Sequence, residues 1–589
     1  MEERAQWTDP SQVHWDGPIR VPFAPETPAS GIGDTGFHEV CWYRRIVEPP
    51  AMEPGDHLLL HFNAVDYQAS VWVNGNYAGG HEGGYTPFRI DLTPYLQGAA
   101  PLSVVVRAED DPFDLTKPRG KQDWQLESHS IWYPRTSGIW QTVWLERVPE
   151  TCIESVFWCP NLERWEVSLE VQIGGRMRHD LRLRASLTAR GQLIADDLYA
   201  VISGEVTRRI VLSDPGIDDY RNELLWSPHS PTLIEARLEL IDAEGRLIDE
   251  VRSYTALRSV AVQGQTMVLN GRPYALRMVL DQGYWPETGM TAPDERALRR
   301  DVELAKEMGF NGVRKHQKIE DARWLYWADR LGLLVWEEMP SAYRFTSDSI
   351  ERLTREWMEV IRRDQSHPCI VVWVPFNESW GVPNLPDIPA QRHFVQALYH
   401  LTHTLDPSRL VVGNDGWESG ATDLVGIHDY DDDPERLAGR YGGYENLPNL
   451  FRRERPGGRM LTLEGQPHAG QPIVISEFGG IACRPSGDSQ FWGYSTAASS
   501  DEFEKRYCAL LEVVRRLPAL AGYCYTQFAD TYQEANGLLF ADRTPKFSIE
   551  KIAEATRGPR VTRQSQLPEA LHPAVERAGA AAPHDPSAP

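Results

Sequence analysis

The sequence predicts a multidomain protein in which two β-sandwiches precede a (β/α)8 barrel, and three observations lead to this prediction. The chain has 589 residues, more than one hydrophobic core can hold. Up to about residue 258 it carries short apolar or alternating runs that end at turn residues, as β-sandwiches do. From Tyr274 onward, strand patterns alternate with helical patterns instead. We expect domains at 1–150, 151–258 and 259–560, followed by a disordered tail at 561–589.

The strands expected in the two sandwiches are short and separated by turns. In residues 233–240, Ile234, Ala236, Leu238 and Leu240 share one face, while the opposite face is mostly charged. This alternation indicates a strand with one buried side. Comparable runs occupy residues 58–62, 69–73, 102–107, 140–145, 167–173 and 181–187. Asn-Gly and Gly-Gly pairs after the early runs are turn signals.

Eight further runs are expected to be the strands of the barrel. They occupy residues 274–280, 310–314, 333–337, 370–376, 410–413, 423–427, 473–476 and 522–527. Helical patterns fall between several of them, at 294–308, 322–331 and 350–361. Eight strands with intervening helices favour a closed barrel. An open doubly wound sheet is the alternative, but no Gly-x-Gly-x-x-Gly motif follows the first strand.

Composition excludes several classes of partner. The formal net charge of −24 argues against nucleic acid and anionic membranes, since both require a basic surface. The first ten residues are polar and unlike a signal peptide, and no stretch is apolar over the length of a membrane span. The seven cysteines are widely spread, which favours free thiols in a reducing compartment. We therefore expect a cytoplasmic protein.

Two glutamates follow apolar strands of the expected barrel. Glu378 stands in Phe376-Asn377-Glu378 and Glu477 in Ile475-Ser476-Glu477. The carboxyl ends of the strands of such barrels surround the catalytic centre. Two carboxyl groups at this mouth can act as an acid/base and a nucleophile, the pair that cleaves a glycosidic bond.

Five motifs are spread along most of the chain: Trp42-Tyr43-Arg44-Arg45, Val71-Trp72-Val73-Asn74-Gly75, His81-Glu82-Gly83-Gly84-Tyr85, Asn377-Glu378 and Ser476-Glu477-Phe478-Gly479. Together they resemble glycoside hydrolase family 2, which contains β-galactosidases, β-glucuronidases and β-mannosidases. It implies an N-terminal jelly roll, an immunoglobulin-like sandwich and a catalytic TIM barrel, in this order.

The resemblance also implies roles for five residues. Glu378 resembles the general acid/base after strand four, and Glu477 the nucleophile after strand seven. Asn377 resembles the asparagine that binds the 2-hydroxyl group of the sugar. Arg314 is similar to an arginine that keeps the nucleophile ionised, and Tyr430 to a tyrosine that hydrogen-bonds it. A structural salt bridge is the alternative for Arg314.

Other strand ends depart from the family's familiar patterns and leave the sugar open. The segment after strand one offers Asp281 and Trp285, and the segment after strand two has its histidine displaced by one position. Either Glu337 or Glu338 can face the site, while core or loop packing is an equal alternative for Trp132 and His428. The candidate sugar contacts are Trp132, Asp281, Trp285, His316, Gln317, Glu338, Trp380, His428 and Gln527.

A carboxylate-binding lysine is missing from the place where the resemblance would put it. Glucuronidases carry Asn-x-Lys there, and this chain reads Asn536-Gly537-Leu538. Without that charge, a uronic acid loses its main recognition pair. The sequence therefore argues against a glucuronidase.

Together these features predict an exo-acting, retaining β-glycosidase for a terminal neutral sugar, β-galactosidase-like. A β-mannosidase or a furanoside- or pentose-specific glycosidase is the alternative on the same frame, and a non-catalytic carbohydrate-binding protein is the alternative of another class. The expected partner is a glycoside or oligosaccharide, and a homo-oligomer is compatible with the sequence. No cofactor and no metal ion are expected.

Overall fold

The computed structural model describes residues 9–212, 222–483 and 491–558. Their architecture confirms the predicted fold class, with two antiparallel β regions followed by a curled parallel sheet of eight strands. The tail expected at 561–589 lies outside the described residues. The domain boundaries at residues 150 and 258 stay a prediction.

The first β region consists of nine strands: β1 Val40–Val47, β2 His57–Phe62, β3 Val65–Asp66, β4 Gln68–Val73, β5 Asn76–Glu82, β6 Phe88–Asp91, β7 Leu102–Glu109, β8 Gly138–Ile139 and β9 Val143–Val148. They form sheets in the order β1-β7-β4-β5 and β6-β2-β9, with β3 and β8 as a separate pair. Leu60, Val71 and Val106 meet in one apolar core between the sheets. Alternate residues of β2 and β4 are buried there, as their sequence pattern predicts.

The second β region follows with β10 Thr151–Asn161, β11 Glu166–Gly175, β12 Arg182–Ala189, β13 Gln192–Ala200, β14 Glu205–Val211, β15 Trp226–Ser227, β16 Ser230–Pro231, β17 Ile234–Ile241 and β18 Leu247–Thr255. One sheet has the order β10-β11-β14 and the other the order β13-β12-β17-β18. The apolar positions of β17 are buried, as expected, between these two sheets.

A small antiparallel sheet of β19 Val260–Gln263, β20 Thr266–Leu269 and β21 Arg272–Pro273 leads into the barrel. The barrel strands are β22 Leu276–Asp281, β23 Gly312–Lys315, β24 Leu334–Glu338, β25 Ile370–Val374, β26 Leu410–Val411, β27 Val425–His428, β28 Ile473–Gly479 and β31 Leu520–Thr526. A short pair, β29 Ile481–Ala482 and β30 Ser495–Thr496, follows β28. Each of the eight predicted barrel strands overlaps one of these.

Helices occupy the connections between barrel strands. They are α1 Glu295–Glu307, α2 Ala322–Leu331, α3 Ser347–Asp364, α4 Pro389–Leu405, α5 Pro434–Tyr441, α6 Leu447–Arg453, α7 Ser500–Val514 and α8 Ile549–Arg557. Asp294 caps α1 by accepting a hydrogen bond from the N–H of Ala297. None of the described helices is both long and apolar enough to cross a membrane.

The barrel sheet curls so that its two terminal strands approach each other. Its order is β26-β25-β24-β23-β22-β31-β28-β27, with parallel pairing throughout. The N–H of Asp423, just before β27, donates to the carbonyl of Val411 in β26 at 2.9 Å. This contact joins the two ends of the sheet, so the carboxyl ends of all eight strands surround one mouth.

Candidate active site

Glu477 lies near the carboxyl end of β28, buried among positive and hydrogen-bonding groups. Its Oε1 is 2.5 Å from Nη1 of Arg314, and its Oε2 accepts a hydrogen bond from the Tyr430 hydroxyl. Burial acts to raise the pKa of Glu477. The positive charges of His428 and Arg314 outweigh burial and lower this pKa to about 2. Glu477 is therefore a carboxylate over the whole physiological range.

Glu378 follows β25 in an unusual backbone conformation. Glu378 and Ser379 have φ angles of 50° and 57°, in the left-handed region that residues with a side chain rarely adopt. Hydrogen bonds hold this turn: the N–H of Glu378 donates to the carbonyl of Asp415 at 2.9 Å, and the N–H of Ser379 to Oδ1 of Asn414 at 3.0 Å. Such strained turns cluster at functional sites. Here the turn directs the Glu378 carboxyl group over the barrel mouth.

His428, at the end of β27, lies between the two glutamates. Its Nδ1 is 2.7 Å from Oε1 of Glu378, and its Nε2 is 3.4 Å from Oε1 of Glu477. One oxygen of each glutamate and one ring nitrogen of His428 all lie within 4.8 Å of one another. Burial alone would lower the pKa of His428, but the charge of Glu477 and hydrogen bonds to neighbouring carboxylates raise it to about 10. The imidazole is therefore a cation that contacts both carboxyl groups.

Arg314 is fully buried at the centre of the site and contacts four side chains. Besides Glu477, its Nη2 lies 2.6 Å from Oδ1 of Asn377, 2.8 Å from Glu338 and 3.0 Å from Asp415. Burial acts to raise the pKa of Asp415, but the charge of Arg314 overrides it and lowers this pKa to about 2. Of the five residues that the family resemblance assigns to catalysis, Asn377 and Glu477 contact this guanidinium, Tyr430 contacts Glu477, and Glu378 is joined to Glu477 through His428.

The structure separates the two neighbouring acidic residues of β24. Glu338 faces the mouth, where it contacts Arg314 and lies 3.2 Å from Nδ1 of His316. Burial raises the pKa of Glu338 to about 8 despite the nearby arginine. Glu337 lies against Asp364 of α3, on the outer side of the barrel, and its pKa is raised well above the usual range by burial and this second carboxyl group. Of the two, Glu338 is the residue at the site.

Asp281 and Trp285, after the first barrel strand, engage charged groups of their own. Oδ2 of Asp281 lies 2.7 Å from Nζ of Lys315, its register partner in β23. Trp285 packs against the cations of Lys318 and Arg543, at 5.2 Å and 4.9 Å from its ring. In the part of the chain that the structure describes, neither residue contacts Glu378 or Glu477. Their expected role as sugar contacts stays a prediction.

Three other expected sugar contacts, Gln317, Gln527 and His316, each lie against neighbouring protein groups. Oε1 of Gln317 accepts a hydrogen bond from the N–H of Ser341 at 2.7 Å, which fixes the loop after β24. Nε2 of Gln527 donates to Oδ1 of Asn536 at 2.5 Å, after β31. The imidazole of His316 has a pKa well below its usual range because burial and nearby positive charges oppose protonation. It is neutral beside Glu338.

Aromatic side chains from both β-rich and barrel segments line the rim next to Glu378. Nε1 of Trp380 lies 3.3 Å from Oε2 of Glu378. Trp132, from the first β region, packs edge-on against Trp380 at 5.6 Å and donates through Nε1 to the Tyr343 hydroxyl at 2.8 Å. Trp417 lies 6.5 Å from Trp380 on the barrel side. Trp380 thus lies beside Glu378, and Trp132 packs against Trp380. Their role as sugar contacts stays a prediction.

Asp415 belongs to the site although the sequence analysis did not single it out. It lies after β26, where it contacts Arg314 and accepts a hydrogen bond from the Ser476 hydroxyl at 2.8 Å. A Cβ atom on Gly426 would lie 1.6 Å from Oδ1 of Asp415, so only glycine fits there. A sequence pattern could have identified Asp415, because the polar run Gly413-Asn414-Asp415-Gly416 follows a barrel strand.

Lys121 and Glu534 are two further residues that sequence reasoning missed. Lys121 belongs to the first β region, and Glu534 to the segment after β31. Oε1 of Glu534 accepts from the Tyr133 hydroxyl at 2.9 Å, which joins residues 401 positions apart. No local pattern marks either residue, because their proximity depends on how the two domains pack.

Comparisons with known proteins agree with this architecture. A family model described as "Glycosyl hydrolases family 2, TIM barrel domain" matches residues 260–558, and one described as "Glycosyl hydrolases family 2, sugar binding domain" matches residues 21–149. A β-galactosidase of Thermoanaerobacter pseudethanolicus is 28% identical over 402 residues, which are 66% of this chain and 51% of the relative. A putative β-glucuronidase of Formosa agariphila is 26% identical over 440 residues, 73% of this chain and 51% of that protein.

The fold also matches solved structures over nearly the whole chain. The β-glucuronidase of Bifidobacterium dentium complexed with coumarin-3-O-glucuronide superposes with a TM-score of 0.74 at 20% sequence identity, covering 94% of each chain. The chain spans about half the length of the curated relatives described above. Because the barrel model alone covers half of the 589 residues and the sugar-binding model precedes it in the expected order, the chain belongs to glycosyl hydrolase family 2.

Proposed function

We propose that the protein is an exo-acting, retaining β-glycosidase that hydrolyses terminal neutral sugars, with β-galactosides as its expected substrates. The separation of Glu378 and Glu477 carries this proposal, because their nearest oxygens lie within 4.8 Å. Retaining enzymes place the two carboxyl groups about 5 to 5.5 Å apart. Inverting enzymes need roughly 6.5 to 9.5 Å to admit a water molecule between carboxyl group and sugar.

The two glutamates perform complementary steps in this proposal. Glu378 donates its proton to the glycosidic oxygen while a carboxylate oxygen of Glu477 bonds to the anomeric carbon. The bond between that carbon and the leaving oxygen breaks, and a covalent glycosyl-enzyme forms. Glu378, now a carboxylate, takes a proton from water as this water attacks the anomeric carbon and releases Glu477.

Neighbouring groups support each step. Glu477 is kept ionised by Arg314, Tyr430 and His428. The same three groups stabilise the negative charge that returns to Glu477 when the glycosyl-enzyme is hydrolysed. Oδ1 of Asn377 is engaged by Arg314, which leaves its Nδ2 to donate to the 2-hydroxyl of the sugar. That contact strengthens as the transition state forms.

The choice of a neutral sugar rests on residue 538. Glucuronidases have a carboxylate-binding lysine at this place in an Asn-x-Lys motif, and this chain has Leu538. A panel of nitrophenyl glycosides tests this choice directly, with galactoside, glucoside, mannoside, arabinoside, glucuronide and galacturonide donors. We expect the β-galactoside to have the highest kcat/KM. A faster mannoside, arabinoside or uronide would overturn the choice of sugar and leave the mechanism standing.

Two further measurements address the mechanism and the enzyme class. NMR of the first-formed product should show the β-anomer, whereas an α-anomer would contradict the double displacement. A protein that binds oligosaccharides but releases sugar from no donor would be a carbohydrate-binding module instead.

A further inference from the structure

A loop of the first β region enters the barrel mouth and is fixed there by its backbone. The N–H groups of Arg119 and Gly120 both donate to the carbonyl of Ser341 at 3.1 Å, and the Tyr343 hydroxyl donates to the carbonyl of Gly120 at 2.6 Å. Gly120 has a φ of +59°, and a Cβ atom on it would lie 2.3 Å from the carbonyl oxygen of Gln317. The position after this glycine is therefore rigidly placed.

The side chain at that position, Lys121, points toward the barrel. The next residue, Gln122, binds Asp66 inside the first β region through Nε2 at 2.7 Å. Nζ of Lys121 lies 5.7 Å from the ring of Tyr133, whose hydroxyl donates to Glu534 of the barrel. In agreement, the positive charge of Lys121 acts on His316 and Glu534, which both belong to the barrel mouth.

Among the described residues, the ammonium group of Lys121 has no partner of opposite charge. The residue is only 6% exposed, and its Nζ lies over the ring of Tyr133, 5.7 Å from the ring centre. Within residues 9–212, 222–483 and 491–558, its Nζ has no carboxylate oxygen within 4.0 Å and no hydrogen-bond acceptor. Within the described residues its three N–H donors therefore have no acceptor, and they can bind a ligand.

Glu534 provides the complementary acceptor near Lys121. Its carboxylate accepts from the Tyr133 hydroxyl at 2.9 Å, from Nδ2 of Asn536 at 3.3 Å and from Nε2 of Gln527 at 3.4 Å. A carboxylate has about four acceptor positions, so one is left over. Burial raises the pKa of Glu534, and the nearby charge of Glu477 adds to this rise. Gln527, which donates to Glu534, directly follows Thr526, and the Thr526 hydroxyl lies 3.3 Å from the Tyr430 hydroxyl that binds Glu477. The pair therefore lies on the side of the mouth next to Glu477, where the sugar binds in the proposed mechanism.

We propose that Lys121 and Glu534 form a donor–acceptor pair that binds a hydroxyl group of the sugar in the glycone pocket. This assignment rests on the proposed function and deepens it. A hydroxyl group can accept a hydrogen bond from the ammonium and donate one to the carboxylate. A uronate would satisfy Lys121 but would be repelled by Glu534 and Glu477. The pair thus selects a neutral, polyhydroxylated sugar, and the first β region completes the specificity site.

The test compares K121M, E534Q and the double variant on the best nitrophenyl glycoside and its monodeoxy analogues. Each single variant should lower kcat/KM by about 10- to 100-fold, the loss of one charge-assisted hydrogen bond. The double variant should lose little more than the worse single variant, because both side chains bind the same hydroxyl. One monodeoxy glycoside should be insensitive to K121M. Lys551→Met, an exposed lysine paired with Glu504, is the matched control.

Three outcomes would overturn the assignment. In the first, the kcat/KM of K121M is within twofold of that of wild type on every donor. In the second, the losses of kcat/KM in the two single variants multiply fully in the double variant. In the third, wild type prefers a uronide and K121M no longer does. If K121M does not fold, as judged by its melting curve, K121Q and E534Q replace it with the same criteria. A wild type inactive on every donor would refute the proposed function instead. In that case, calorimetric titration with free monosaccharides tests the Lys121–Glu534 pair without turnover. Equal affinities of wild type and E534Q would refute the assignment of the pair.

Discussion

The two halves of the barrel mouth differ in how their charges are arranged. In the half built by β23 to β28, each charged group contacts a group of opposite charge, with Arg314 and His428 among the carboxyl groups of Glu338, Glu378, Asp415 and Glu477. In the half built by β31 and the loop of the first β region, Lys121 has no carboxylate partner among the described residues. Catalytic groups gain from a preorganised environment, whereas recognition groups must keep hydrogen-bonding capacity for the substrate.

Removing the nucleophile should have the largest effect on the catalytic half. Glu477→Gln keeps the size of the side chain but cannot attack the anomeric carbon. We expect kcat to fall by on the order of 10⁴-fold or more. Wild type treated with a slow 2-fluoro glycoside should gain the mass of one glycosyl group, and the variant should gain none. Glu464→Gln, at an exposed position, is the control, and unchanged turnover in Glu477→Gln would refute the assignment.

Replacing the acid/base should have a smaller effect that depends on the leaving group. General acid catalysis contributes about 10²- to 10⁴-fold, so Glu378→Gln should lose this factor on a methyl or alkyl glycoside. A dinitrophenyl glycoside needs little protonation of its leaving oxygen. The first step should then proceed almost normally and leave an initial burst of dinitrophenol before slow hydrolysis of the glycosyl-enzyme. Equal losses on both donors would contradict the role of Glu378.

His428 links the two glutamates, and its removal should weaken both activity and stability. We expect His428→Asn to lower kcat/KM by about 10- to 100-fold through the loss of charge-assisted contacts. In the folded protein the pKa of His428 is raised from 6.5 to about 10, so protonation stabilises the fold. This contribution is complete below about pH 6.5 and is lost as the pH rises through about 10.

Melting temperatures of wild type and His428→Asn therefore should differ most near pH 6 and converge toward pH 10. His400→Asn, an exposed histidine on α4, should show no such convergence. A wild-type advantage that is constant with pH would mean that His428 is neutral in the folded protein.

The sequence predicted the catalytic half better than the recognition half, for physical reasons. Glu378 and Glu477 follow apolar runs, and parallel strands of one barrel end at one mouth, so their approach follows from local patterns. Asp281 also lies at the end of an apolar barrel strand. It pairs in register with Lys315, however, and its carboxylate forms an ion pair with this lysine. Pairing register across strands was not readable from either segment alone.

The choice between Glu337 and Glu338 shows a second limit. Alternation along β24 requires the two side chains to point to opposite sides, yet it does not say which one points inward. The position of Lys121 could not be predicted for a different reason. It depends on how a loop of the first β region packs on the barrel. Contacts such as that of Gly120 with Ser341 involve long-range packing that no sequence periodicity encodes.

The smallest effect is expected at the contact that joins the recognition half to the first β region. Tyr133→Phe removes the hydroxyl that donates to Glu534 and leaves the ring beside Lys121. Loss of one buried hydrogen bond costs about 1 kcal/mol, and Glu534 then has a second free acceptor position and a less fixed orientation. We expect a three- to tenfold higher KM, with kcat changed by less than about twofold, because the atoms that react are untouched. Tyr444→Phe, at an exposed position, should leave both constants unchanged. If Tyr133→Phe lowered kcat as strongly as the replacement of His428, the two halves of the mouth would act as one unit, and the division between preorganised catalysis and open recognition would be wrong.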